Sequence, residues 1–183
     1  MIPSTPTPRA PEVQKKLCML GSFAVGKTSL VARFVHSMFS ERYHTTVGVR
    51  IDKKLVELPG RRVKLMLWDL QGEDVFRRVQ TTYLRGAAGY VLVVDGTRRD
   101  TLAIAASLHE RAVMALGPGT PFTLALNKAD LDEHWQIDEP ALDPWRARAA
   151  VITRTSAKTG AGVEEMLREL ARRVTEPRAR ARP

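Results

Sequence analysis

Apolar residues recur along the chain in two rhythms. Short continuous runs, "KLCML" (16–20), "YVLVV" (90–94) and "FTLAL" (122–126), have the pattern of strands buried on both faces. The stretch "VGVRIDKKLVEL" (47–58) alternates in places, meets Pro59-Gly60, and is followed by "RVKLMLWDL" (62–70), which predicts an antiparallel hairpin. Helical spacing governs "KTSLVARFVHSM" (27–38), "DTLAIAASLHERAVMAL" (100–116) and "GVEEMLRELARRV" (162–174). Asp143-Pro144 reads as the start of one more, short helix, with Trp135 and Trp145 as its packing residues or, if exposed, as a pair that serves a partner. Strands that alternate with helices predict a three-layer α/β domain: a mostly parallel six-stranded sheet, one antiparallel edge hairpin and about five helices. In such sheets ligands sit at the carboxyl ends of the strands.

Composition changes this picture little. The 183 residues fit one domain and are 44% hydrophobic and 27% charged, the balance of an ordinary globular protein. Cys18 is the single cysteine, so no disulfide forms within the chain, and a reducing, cytoplasmic setting is expected. The organisation expected is a proline-rich disordered segment (1–12), one domain (13–175) and a basic disordered tail (176–183). The net charge of +9 raises the question of nucleic acid or membrane. Residues 172–183 carry +4 of it and residues 1–11 carry +1, so the body of the domain is only mildly basic. Aromatic residues are not interleaved with the cations, so no specific nucleic-acid binding is expected. The arginines of the tail offer weak electrostatic contact with an anionic membrane. His36, His44, His109 and His134 show no metal-ligand spacing, and Ser22 and Ser156 have no His–Asp partners.

The chemistry lies at strand ends. "GSFAVGKT" (21–28) is G-x-x-x-x-G-K-T between a strand and a helix, the phosphate-binding loop that gives the P-loop NTPase fold its name. Gly21 and Gly26 can take backbone angles closed to other residues, so successive N–H groups converge on an anion. Ala24, Val25 and Ser29 belong to the same cradle, and the dipole of the helix beginning near Lys27 adds to it. Lys27 reaches the β- and γ-phosphates, and the Thr28 hydroxyl ligates Mg2+. Asp69 ends the strand "VKLMLWD" opposite this loop, where a carboxylate orients Mg2+ through its waters. "NKAD" (127–130) follows "FTLAL". A buried Asp130 would accept both N1–H and N2–H of guanine. Adenine lacks that donor pair, and such unsatisfied sites discriminate by about 10⁴-fold. Asn127 would tie this loop to the phosphate loop, and the Lys128 stem would cover the base. "TSAK" (155–158) would present the Ala157 N–H to guanine O6, flanked by Ser156 and Lys158.

With these motifs in order, and with "YHTTVGV", "WDLQGED", "YLRGAAG" and "TSAKTGAGVEE" at family spacing, residues 13 to 174 resemble a Ras-superfamily small GTPase, and more narrowly the Rab branch. The resemblance implies a GTP/GDP switch with Mg2+ that orders switch I (about 39–47) and switch II (about 70–84) in the GTP state. It makes Thr46 the switch I threonine that closes onto Mg2+ and the γ-phosphate, a phosphate the Gly72 N–H also contacts. It makes Phe39 the aromatic that packs on guanine. It makes Ile51, Trp68 and Tyr83 the apolar triad read by protein effectors; ordinary core packing accounts for the same three residues equally well.

Two departures fall at the catalytic centre. Glu73 stands where the family's water-orienting glutamine is expected, and Leu70 and Gln71 replace a Thr-Ala pair. A carboxylate donates no N–H and brings negative charge to an anionic centre, so slow hydrolysis is expected; rescue by Gln71 is the alternative. Phe23 occupies the loop position next to the γ-phosphate, where bulk obstructs a partner's arginine, a group worth about 10³–10⁵-fold in rate. The competing reading has Phe23 close the site as an apolar lid. A GTP-held scaffold with negligible hydrolysis is the alternative to a slow switch. The chain has no cysteine after Cys18 and does not begin Met-Gly, so no lipid anchor is expected. With the Arg- and Ala-rich composition, that points to a prokaryotic member.

Overall fold

The computed structural model describes residues 10–40, 48–70, 79–148 and 151–176. The expectations for Thr46, Gln71, Gly72, Glu73, most of both switches and most of the two terminal segments lie outside them.

Six strands form one sheet in the order β2-β3-β1-β4-β5-β6. They are β1 (Glu12–Leu20), β2 (Val49–Leu58), β3 (Arg61–Leu70), β4 (Gly89–Asp95), β5 (Phe122–Asn127) and β6 (Val151–Arg154). Among the described strands only β2–β3 is antiparallel, turning at Pro59-Gly60 with Gly60 at φ 76, and β2 is an edge strand of the sheet. β1 starts at Glu12, one residue inside the segment assigned to the terminus, because Glu12 pairs with Arg62 and the Pro11 carbonyl accepts the Arg62 N–H.

Five helices occur among the described residues: α1 (Lys27–His36), α2 (Val79–Leu84), α3 (Asp100–Leu116), α4 (Asp143–Arg146) and α5 (Val163–Thr175). α5 buries Val163, Met166, Leu167, Leu170, Ala171 and Val174, a single stripe at 3–4-residue spacing. Glu164 and Glu165 in its first turn and Arg172 and Arg173 in its last complement the helix dipole. α1 ends where Ser37 turns left-handed and its N–H returns to the Arg33 carbonyl. α4 spans only four residues, with Pro144 in its first turn, as Asp143-Pro144 suggested.

Two apolar layers flank the sheet. Leu17, Met19, Leu65, Leu67, Val91 and Val93 meet the stripes of α1 and α5 on one face. Cys18, Leu20, Tyr90, Leu92, Leu124 and Leu126 meet α3, Leu142 and Trp145 on the other. All seven residues of β4 and all six of β5 are buried, which is why those segments read as continuous apolar runs rather than alternating ones. His109 lies in this second layer and shares a 2.9 Å hydrogen bond with the Tyr90 hydroxyl. Among the described residues no helix is long and apolar enough to cross a membrane.

Candidate functional site

Parallel register brings the ends of β1, β3, β4 and β5 to one rim: Met19 lies beside Asp69, and Asp95 beside Asn127. Everything that follows stands on that rim.

The loop after β1 is shaped by close approach. A Cβ on Gly21 would lie 2.4 Å from the Val93 carbonyl oxygen, and one on Gly26 would lie 2.3 Å from Asn127 Nδ2. Gly26 sits at φ 99, and Ala24 at φ 59 is one of the few non-glycine residues in the left-handed region. Lys27 opens α1; its ammonium donates to the Gly21 and Ser22 carbonyls, each at 2.9 Å. Burial lowers its pKa from 10.5 to about 8, with the Asp69 carboxylate opposing the shift. Thr28, next on α1, donates its hydroxyl to Asp69 Oδ2 at 2.5 Å, and that carboxylate is fully buried at the end of β3.

Asn127 joins three loops. Its Nδ2 donates to the Val25 carbonyl at 2.9 Å, and its Oδ1 accepts the Ala157 N–H and the Thr155 hydroxyl, each at 3.3 Å. Ser156 donates its hydroxyl to Asp130 Oδ1 at 2.6 Å, which sets the carboxylate's orientation. Asp130 is exposed, contrary to the burial expected of it, because it stands in the turn beyond the end of β5 and not within the sheet. Lys128, at φ 67, extends to Asp95 Oδ2 at 2.6 Å.

Other expected residues are more dispersed. Phe39 follows the end of α1 and is 36% exposed. Phe23 is half-buried, and its carbonyl accepts a hydrogen bond from Arg98 at 2.8 Å. Lys158 gives its carbonyl to Arg33, and Ser29 lies in the first turn of α1. On the outer face of the hairpin Ile51, 44% exposed, is the register partner of Trp68; the Trp68 and Tyr83 rings stand 6.4 Å apart, and the Lys16 ammonium lies 3.6 Å above the Trp68 ring. The three triad residues therefore form one surface, although Trp68 and Tyr83 also pack against the second core layer.

Three site residues escaped the sequence reading. Arg33, on α1, donates Nε to the Ala157 carbonyl at 2.8 Å and Nη2 to the Lys158 carbonyl at 2.5 Å, holding the "TSAK" loop from 124 residues away. No local signal marks it. Asp95 and Arg98 follow β4. Asp95 ends its strand as Asn127 ends the next, and that equivalence was the available clue.

The donor set fits a nucleotide with its cation. A divalent magnesium ion takes one or two protein oxygens and completes its shell with phosphate and water, as the Thr28–Asp69 pair allows. The cradle that a Cβ at position 21 or 26 would fill, with a buried ammonium beside it, suits an anion.

Comparison with known proteins agrees with this geometry. The family model described as "Ras family" matches residues 16–176. The chain is similar to the Ras-related protein Rab-4 of Dictyostelium discoideum, with 34% identity over 160 residues, covering 87% of this chain and 78% of that protein.

Proposed function

The chain belongs to the Ras family and is Rab-like in sequence; its relatives are GTP-binding switch GTPases, and from that premise we propose how this member works. Lys27 and the N–H groups of residues 24 to 29 hold the β- and γ-phosphates. Thr28 and Asp69, with Thr46 of switch I, hold Mg2+, which neutralises phosphate charge. Asp130 reads guanine N1–H and N2–H, the Ala157 N–H reads O6, and Lys128 and Phe39 cover the base. One observation carries the reading: Asn127 binds the phosphate loop and the "TSAK" loop at once, so base and phosphate subsites share one support.

Glu73 makes this a slow hydrolase. A carboxylate there orients water without donating a hydrogen bond to the γ-phosphate and adds negative charge where charge is already high. Gly72 supplies its N–H to that phosphate, and Gln71 is the residue that could substitute for Glu73. Phe23 narrows the approach for a partner's arginine. Switch ordering is read by protein partners on Ile51, Trp68 and Tyr83, in a cytosolic setting consistent with the buried free thiol of Cys18.

Glu73 and Phe23 together favour a second reading, a GTP-held binding module. Single-turnover phosphate release from protein preloaded with Mg2+-GTP separates the two, measured beside Glu73→Gln and Phe23→Gly. Release by the wild type, faster in Glu73→Gln, is the expected result. No release by the wild type, with recovery in a variant, gives the module. Failure of the wild type to retain GTP would sink both.

A further inference from the structure

The loop that receives the phosphates can point its N–H groups inward only if its carbonyls point outward and stay there. Side chains hold four of the five carbonyls of residues 21–25: Lys27 takes those of Gly21 and Ser22, Asn127 takes Val25, and Arg98 takes Phe23. These restraints differ in kind. Lys27 must share its ammonium with an arriving phosphate, so its hold on two carbonyls weakens at the moment of binding. Asn127 and Arg98 act from outside the cradle. The Phe23 carbonyl is also next to Ala24, whose left-handed backbone is the conformation most prone to relax.

Arg98 is itself held. Its Nε donates to Asp95 Oδ2 at 3.2 Å while Nη2 donates to Phe23, so the two arms of one planar fork are used in different directions. Asp95 is 1% exposed; its Oδ1 takes the Thr97 N–H and hydroxyl, and its Oδ2 also takes Lys128 at 2.6 Å. Burial opposes ionisation of this carboxyl, yet the Lys128 and Thr97 hydrogen bonds keep its pKa below the ordinary value. One buried carboxylate thus bears the cation of the guanine loop and the cation that reaches the phosphate loop.

Resting on the nucleotide-binding reading above, we infer that Arg98 is a positioning residue that clamps the Phe23 carbonyl and, through Asp95, couples the phosphate loop to the Lys128 loop. It touches the backbone of the loop, so its effect is felt at the diphosphate and does not need the Phe23 ring.

The test is release of GDP from the Mg2+-loaded full chain, with the 31P resonance of the bound β-phosphate recorded alongside. Losing the charge-assisted hydrogen bond to the Phe23 carbonyl, together with the partly exposed Asp95 pairing that steadies it, should speed release roughly tenfold in Arg98→Ala and move the β-phosphate resonance. Arg98→Lys, which keeps charge without the fork, should fall between. Arg99→Ala, whose parent pairs with Asp138 at the surface, should behave as wild type. The loss should be smaller for GMP, which lacks the second phosphate, and should persist in a Phe23→Ala background. Wild-type release with an unmoved resonance in Arg98→Ala would overturn the clamp. So would an equal loss for GMP and GDP, or an effect that vanishes with the Phe23 ring. If the wild type binds no GDP, the nucleotide-binding reading fails instead.

Discussion

Replacing Asn127 with Ala should loosen guanine nucleotide far more than it loosens the fold. The side chain is 2% exposed and makes three hydrogen bonds to two segments, the phosphate loop and the "TSAK" loop, so truncation strands the Val25 carbonyl, the Ala157 N–H and the Thr155 hydroxyl in buried surroundings. A buried polar group left without its partner costs about 1–3 kcal/mol. The Val25 bond, at 2.9 Å, belongs in the middle of that range; the two at 3.3 Å belong at or below its lower end, and the Thr155 hydroxyl can rotate. A total near 3 kcal/mol is therefore reasonable. Part of it is paid in the nucleotide-free chain and appears as a lower melting temperature. If two-thirds falls on the nucleotide-bound arrangement, release accelerates about 30-fold. Displacement of a fluorescent GDP analogue, followed with and without excess Mg2+, reads that rate, and thermal unfolding reads the remainder. Unchanged release beside a large fall in melting temperature would refute the argument, because Asn127 would then be supporting the fold and not the site.

Other outcomes follow from the same geometry. Bound phosphate should restore the charge that burial withholds from Lys27, so nucleotide binding at pH 8 should take up about half a proton; calorimetry in buffers of different ionisation enthalpy measures this, and Lys27→Arg should abolish it. In the nucleotide-free protein the folded value of about 8 lies below the ordinary 10.5, so the unfolded chain holds the extra proton between them and stability should rise with pH across that window. Arg33→Ala should reduce the preference for GDP over ADP about tenfold, since it removes two hydrogen bonds that hold the Ala157 and Lys158 carbonyls; competition binding reads the ratio. Gly96→Ala should lower the melting temperature by about 5 °C, because its Cβ would meet the Trp135 ring at 2.0 Å and that ring is pinned by its own N–H to Ile137 and by the Arg154 guanidinium above it.

Each part of the sequence spoke about its own neighbourhood. The strand–loop–helix run from Lys16 to His36 was legible because the phosphate cradle is made by consecutive backbone groups, and glycine spacing alone determines where they can converge. The continuous apolar runs of β4 and β5 announced burial on both faces, and Pro59-Gly60 announced the hairpin. Strand-terminal Asp69 and Asn127 were found because an acid or amide just past an apolar run is exceptional in either rhythm.

What tertiary structure decided is how those local pieces are fixed to one another. Arg33 reads as an ordinary helix cation until folding sets it under the Ala157 and Lys158 carbonyls. Arg98 reads as a loop residue until β4 delivers it to a carbonyl 75 residues earlier. Trp135 read as packing or as an exposed partner contact; its seat over Gly96 depends on the segment after β5 arriving beside the end of β4, where the Gln136 N–H meets the Gly96 carbonyl. Asp130 shows the limit most directly, since base chemistry argued for a buried carboxylate and the folded chain leaves it exposed. The physical reason is common to all four. Backbone conformation follows from neighbours in sequence, whereas burial and side-chain hydrogen bonds depend on which distant strand or loop arrives alongside.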